Sequence, residues 1–351
     1  MSNRRLTLAM ACLLAGCGGQ TEDSGPRTES ENPPGASGTP TVGSIERLTP
    51  EFDALVPADA HLEVLAEGHG WTEGPVWAPE LGGLLYSDIP ANSIFLYRDG
   101  DGSEPWLAPS DADPSGSGAS NGLIIGADGE LLLAQHGDRR IARLEAEWEA
   151  PGSVGPESRF TTLVSRTDEG RFNSPNDLVQ GPGGDIYFTD PPYGLAAGDE
   201  DPAKELGTNG VYRLRPDGRV GLIDATLRRP NGVILSPDAR TLYVASSADE
   251  QPVVVAYPVE ADGSVGEPHP FADTRGDGMA VDQAGNLYVA EPDRGVFVFD
   301  PAGQHLGSIL TGQRTSNVAW GDDGSTLYIT ADSYLMRIRL NAVGAGFGDG
   351  S

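Results

Sequence analysis

Cysteine is nearly absent: the chain has two, Cys12 and Cys17, both at the extreme N-terminus. A domain downstream of them has no thiolate for a zinc site and no disulfide to stiffen it. Histidine is scarce too, five in all and not clustered, which removes imidazole-rich metal sites by ligand type. Basic residues are outnumbered, 23 against 52 acids, for a net charge of −29. Such a surface repels phosphate backbones, excludes nucleic acid as a partner and collects cations instead. No stretch carries helical periodicity of useful length, and no apolar run reaches the ~20 residues that a membrane-spanning helix needs.

Glycine and proline, by contrast, are abundant. The 48 glycines and 28 prolines are spread along all 351 residues, roughly twice the usual share, and imply many turns between short strands. The N-terminus, "MSNRRLTLAMACLLAGCGG", places Arg4 and Arg5 before a short apolar run, Leu6 to Ala15, and then small residues. That is the layout of a secretory signal. "LAGC" resembles a bacterial lipoprotein lipobox, which implies a signal peptide over residues 1–16 and Cys17 as the lipidated first residue of the mature chain. A plain cleaved signal is the alternative. Gly18 follows the cysteine where an inner-membrane signal has Asp, which points to the outer membrane of a bacterial envelope. The lipid anchor is then the one expected contact with a membrane. Residues 17–45 hold the lipidated cysteine and a Gly-, Ser-, Pro-, Thr- and Glu-rich stretch with almost nothing to bury, expected to be a disordered linker.

The rest of the chain repeats. "GGLLYSD", "DGELLLAQ", "GGDIYFTD", "DARTLYVAS", "AGNLYVAE" and "DGSTLYITA" align at Tyr86, Leu132, Tyr187, Tyr243, Tyr288 and Tyr328, at spacings of 46, 55, 56, 45 and 40 residues. Short strands with Gly- or Asp-bearing turns at this period are the mark of propeller blades. The expected fold is therefore all-β, a six-bladed β-propeller over residues 58–341. An antiparallel sandwich is the alternative, which the regular period disfavours. One clear strand, "YLMRIRL", follows the last aligned turn, so "HLEVL" at residues 61–65 is expected to complete the last blade and close the ring.

Eleven to thirteen residues before each aligned position stand Glu73, Asn121, Asn176, Asn231, Asp277 and Asn317. Each precedes an apolar run that reads as the innermost strand of its blade, so six oxygen-bearing side chains should ring one mouth of the channel. Single copies such as "PNG" are ordinary turns; six in phase are not. Two carboxylates facing each other in a narrow channel repel unless one takes a proton or a cation lies between them. Glu73 and Asp277 supply charge, Asn176 and Asn231 neutral oxygens. This all-oxygen set suits a hard divalent ion, Ca²⁺ first, with Mg²⁺, Mn²⁺ and Zn²⁺ as alternatives. Open coordination positions would let the ion polarise a carbonyl and activate water. The residues that end each second strand, Asp88, His136, Asp190, Ser246, Glu291 and Asp332, are expected to surround the ring. His136 is a candidate proton carrier near pH 7. Arg171 and, in "TDPPYGL", Tyr193 are candidate substrate contacts.

With "EGPVW", "QHGDRRIARL", "RFNSPNDLV", "IYFTDPPYGL", "PNGVILSPDARTLYV", "DGMAVDQAGNLYV" and "SNVAWGDDGSTLYIT", the sequence resembles the SMP-30/gluconolactonase/LRE-like family over about residues 70–336. The resemblance implies metal ligands at Glu73, Asn176, Asn231 and Asp277, Asp277 as general base and Asn121 as a substrate or water contact. It implies hydrolysis of a sugar lactone, such as glucono-1,5-lactone; the expected partner is that small-molecule substrate, and the protein is expected to be a monomer. Some members carry an Arg two residues before the asparagine ligand, where this chain has Ser174. Two other readings fit the same residues: a phosphotriesterase similar to diisopropylfluorophosphatase, which shares the metal set, and a non-catalytic, lipid-anchored binding propeller.

Overall fold

The computed structural model describes residues 41–110, 119–148 and 159–348. Cys17 and the expected signal peptide lie outside the described residues, as does the linker up to residue 40. Six antiparallel sheets follow one another along the chain as blades I to VI: residues 72–107, 123–164, 178–224, 230–272, 279–310 and 315–339. The chain is a six-bladed β-propeller. Every blade starts with its innermost strand. Blade VI has three strands of its own and takes Leu62–Ala66 as the next, with Met336 opposite Val64, which joins the N-terminal and C-terminal parts of the propeller in one sheet.

The aligned positions explain why the repeats are tyrosine-rich. Tyr86, Tyr187, Tyr243, Tyr288 and Tyr328 are all buried, as is Leu132, because the middle of each second strand faces the neighbouring sheet. Tyr328 stacks on Trp77 of blade I, and Tyr288 meets Trp320 of blade VI edge-on. Their hydroxyls find partners within the packing: Tyr187 donates to the Gly263 carbonyl (2.8 Å) and Tyr328 to Asp322 (3.1 Å). A tyrosine can thus fill the gap between blades and still satisfy its polar end.

Strands and a helix stand before residue 58, and two of the strands fall within residues 41–47, where the linker was expected to run through residue 45. Thr41–Val42 pairs with Leu62–Ala66, and Ser44–Arg47 adds a fifth strand to blade V beside His305–Leu310. A helix, Pro50–Leu55, joins these strands. Pro50 opens it, Thr49 Oγ1 accepts the N–H of Phe52 (3.4 Å), and Phe52 is fully buried in the core shared by blades V and VI. The composition of residues 17–45 hides this because a two- or four-residue edge strand needs little apolar content when the sheet it joins is already formed.

Candidate functional site

The six ring residues stand at the start of the innermost strands or up to two residues before them. Asn121, Asn176 and Asp277 are fixed by backbone bonds to their own second strands, to Ala134, Thr189 and Ala290 at 2.8–2.9 Å. In blades I, IV and VI the pairing slips by a β-bulge at the ring residue, a device that re-aims side chains. Adjacent blades then lock together at ring level. Gly122 N–H donates to the Asn176 carbonyl (2.8 Å), Thr189 Oγ1 to the Asn231 carbonyl (2.7 Å), Gly278 N–H to the Ser316 carbonyl (2.8 Å) and Ser316 Oγ to the Thr72 carbonyl (2.6 Å). Glycine after the ring residue permits this approach. A Cβ on Gly74, whose φ is +48°, would come within 2.0 Å of the Asn121 carbonyl oxygen, and one on Gly232 equally close to that of Asp277. The blades could not close to that distance around any larger residue.

Glu73, Asn121, Asn176, Asn231 and Asp277 line one cavity of about 550 Å³, together with His136, Tyr193, Trp71, Ser247, Arg275 and Arg314. Asn317 closes the ring from beneath by donating to Glu73 Oε2 (3.3 Å), which also accepts from Gly74 N–H (3.2 Å). Burial nevertheless pushes the Glu73 carboxyl up to about 7, with the nearby Asp177 charge adding to it. Asp277 is pushed well above the carboxylate range, first by burial and then by Glu73 and Asp177, against the opposing pull of Asn231 and Arg314. Its Oδ1 is buried with no hydrogen-bond donor. Asp177 is raised to about 6 by burial although Val233 N–H (3.1 Å) and Leu178 N–H (2.9 Å) both donate to it.

Three carboxyls that resist ionisation around one orphaned acceptor form a site short of positive charge. Among the described residues no three His, Cys, Asp or Glu side chains converge as a ligand group. The oxygen set here is mixed instead, two carboxylates with amides, and that donor chemistry together with the unpartnered Asp277 Oδ1 fits a hard divalent cation held by Glu73, Asn176, Asn231 and Asp277.

The wall of the cavity is specific as well. The Tyr193 hydroxyl and Ser247 Oγ are bonded at 2.6 Å, the Asn231 amide reaches the same Ser247 oxygen (3.4 Å), and the Arg229 guanidinium lies 5.3 Å above the Tyr193 ring. Arg314 stacks 5.0 Å over Trp71. Arg275 is neutralised by Asp249, Glu291 and Asp293.

The family model of the SMP-30/gluconolactonase/LRE-like region matches residues 71–333. The chain belongs to this family. It is 38% identical over 324 residues to a gluconolactonase from Zymomonas mobilis, covering 87% of this chain and 88% of that one. A pentonolactonase from Haloferax volcanii is 27% identical over 74% of this chain and 80% of its own. The solved gluconolactonase of Xanthomonas campestris superposes with a TM-score of 0.73 at 31% identity, over 86% of this chain and 97% of the other.

At this cavity the expected residues divide. Glu73, Asn121, Asn176, Asn231, Asp277, His136 and Tyr193 share one cavity. Arg171 does not line it: its side chain is exposed and donates to the Asp138 carbonyl (3.2 Å). The rim guanidiniums are Arg275 and Arg314 instead. All three stand two to five residues before a ring member, and sequence cannot tell which of such loops folds inward. Of the residues ending the second strands, His136 alone reaches the cavity; Asp88, Asp190 and Glu291 turn back onto the segment that enters the ring. Asp177 is absent from the expected set although the register carries its signal: it fills the place held by glycine in blades I, II, IV and V.

Proposed function

We propose that this chain hydrolyses a sugar lactone of the glucono-1,5-lactone type to the open-chain aldonate, at the Glu73/Asp277 mouth of the channel. The chain is a lactonase. The observation that carries the site assignment is Asp277 Oδ1, a buried acceptor without a donor, at the floor of a polar cavity of about 550 Å³. A divalent cation held by Glu73, Asn176, Asn231 and Asp277, with Ca²⁺ the first choice, would supply the charge that stabilises the developing oxyanion.

The chain's own groups do the rest. Asn121 and the Tyr193–Ser247 pair present hydrogen-bonding groups to the ring hydroxyls. Asp277 takes a proton from the water that attacks the lactone carbonyl carbon. The ring C–O bond then breaks, and the departing alkoxide receives a proton, so that lactone and water give carboxylate, hydroxyl and one released proton. His136, buried at the cavity wall, is placed to pass that proton outward. Asp277 carries two carboxylate oxygens, so holding a cation would still leave it able to take the proton. With Cys17 lipidated, this chemistry would be tethered at the cell envelope.

A lactone panel followed by acid release, on protein stripped of metal and reloaded with Ca²⁺, Mg²⁺, Mn²⁺ or Zn²⁺ in turn, tests the reading. Turnover of aldonolactones that vanishes on stripping and returns with one ion is expected. Inert lactones beside hydrolysed phosphotriesters would replace it with the phosphotriesterase reading, and inertness toward both with the binding propeller.

A further inference from the structure

In blades I, III and V the second strand ends on an acid that turns away from the channel: Gly83–Asp88, Ile186–Asp190 and Leu287–Glu291. Each acid grips the arm that leads into its own innermost strand, two or three residues before the ring residue. Asp88 accepts from the N–H groups of Gly70 (3.1 Å) and Trp71 (3.3 Å), three and two residues before Glu73. Asp190 accepts from Asn173 and Ser174, both at 2.7 Å, three and two residues before Asn176. Glu291 accepts from the Arg275 guanidinium (2.8 Å), two residues before Asp277. The three arms so held carry three of the four residues assigned to the cation. In blade VI, whose Asn317 is outside that set, the same place is Asp332, which reaches its arm through the backbone, N–H to the Arg314 carbonyl (2.8 Å).

Asp190 is the most enclosed of the three, with no exposed surface. Around it the arm is tied down repeatedly. Asn173 Nδ2 donates to the Asp190 carbonyl (3.0 Å), and Ser174 Oγ donates to the Pro191 carbonyl (2.5 Å) and accepts from Gly194 N–H (2.8 Å). A neutral amide such as Asn176 is a weak cation ligand, so its contribution depends on being held in place before the ion arrives.

We propose that Asp190 is a positioning residue that sets the Asn176 arm for cation binding, and that Asp88 and Glu291 do the same for Glu73 and Asp277. This rests on the metal-dependent reading of the same site. The test measures Ca²⁺ affinity by titration calorimetry and the melting temperature of the stripped protein, for wild type, Asp190→Asn and a control, Asp185→Asn. Asp185 is a buried acid of blade III in the turn between the innermost and second strands; it accepts from Arg213 Nε (2.9 Å) and Nη2 (2.8 Å) and holds no ring arm. Both variants are expected to lower the melting temperature of the stripped protein. Asp190→Asn alone is expected to weaken Ca²⁺ binding, by about 10- to 100-fold. Affinity that falls equally in the control, or stays at the wild-type value in Asp190→Asn, overturns the proposal. If Asp190→Asn does not fold, Glu291→Gln decides by the same comparison. Wild-type protein that binds no divalent ion would instead sink the metal reading on which the proposal stands.

Discussion

At one end of the central channel, Glu73, Asn176, Asn231 and Asp277 line a cavity of about 550 Å³; toward the other, Val76, Ile124, Val179, Ile234, Val281 and Trp320 give an apolar wall to a cavity of about 670 Å³ that also reaches Asp177 and Asn317. The same six innermost strands make both. Each begins on a carboxylate or amide and becomes apolar within a few residues, so a strand that crosses the channel wall carries a gradient from chemistry to packing. The larger cavity is therefore not the better candidate site. What distinguishes the smaller one is unsatisfied charge: Asp277 and Glu73 are each pushed up by burial, and Asp277 further by the Glu73 and Asp177 charges.

The largest expected effect tests the polar end. Asp277→Asn keeps the shape of the side chain and removes its basicity, so kcat/KM for the best lactone should fall by about 10²- to 10⁴-fold, while circular dichroism and the melting temperature stay those of a folded propeller. A folded Asp277→Asn enzyme with near wild-type turnover would remove Asp277 from the chemistry. At the other end the pattern should invert. Trp320, buried against Tyr288 at 5.0 Å between ring centroids, should cost about 3–5 kcal/mol of stability when cut to Ala, read by denaturant unfolding, and leave kcat/KM of the folded protein unchanged. Loss of turnover in folded Trp320→Ala would mean that the two ends are coupled.

A smaller effect follows from the titrating groups. Glu73 and Asp190 sit at about 7 against ordinary values of 4.5 and 3.8, and Asp177 at about 6, all raised chiefly by burial. Because the folded values exceed the unfolded ones, the folded state binds more protons between about pH 4 and 7. The contribution is fully present at low pH and is lost as pH rises through that window. Acids held down by their hydrogen bonds, such as Asp201 and Asp262, act only below it. The metal-stripped protein should therefore melt several degrees higher at pH 5 than at pH 8, on the order set by ~2–4 °C per kcal/mol for a protein of this size, and added Ca²⁺ should flatten the slope. A melting temperature of the stripped protein that climbs steadily from pH 5 to pH 8 would contradict the charge account of the polar mouth.

How much of this was legible beforehand follows from the same contrast. Ring residues repeat, so register alone brings Glu73, Asn176, Asn231 and Asp277 to one mouth, and the alternation of the aligned strands gives the propeller. Asp88, Asp190 and Glu291 repeat as well, but their expected direction was wrong, because a residue at a strand end can face either the channel or the arm behind it and period says nothing of that choice. Arg275 and Arg314 lie in loops whose course depends on non-local packing, here against Asp249, Glu291 and Asp293 for one and Trp71 for the other. The fifth strand of blade V and the helix at Pro50–Leu55 escaped because their few apolar residues, Ile45 and Phe52, gain meaning only against a sheet formed some 260 residues later.

The smallest effect separates recognition from chemistry within the polar mouth. Tyr193 stands on the "DPPYGL" turn, bonded to Ser247 Oγ at 2.6 Å and lying beneath Arg229. Its hydroxyl should touch substrate hydroxyls in ground state and transition state alike, because it sits on the wall and not among the ring residues. Tyr193→Phe keeps the ring and its contact with Arg229 while removing one hydrogen bond, a change of about 0.5–1.5 kcal/mol. KM for the lactone should rise about 2- to 10-fold with kcat nearly constant, since an interaction of equal strength in both states alters binding alone. A fall in kcat at unchanged KM would move Tyr193 from the wall into the reaction and extend the polar end of the channel outward to the turn that carries it.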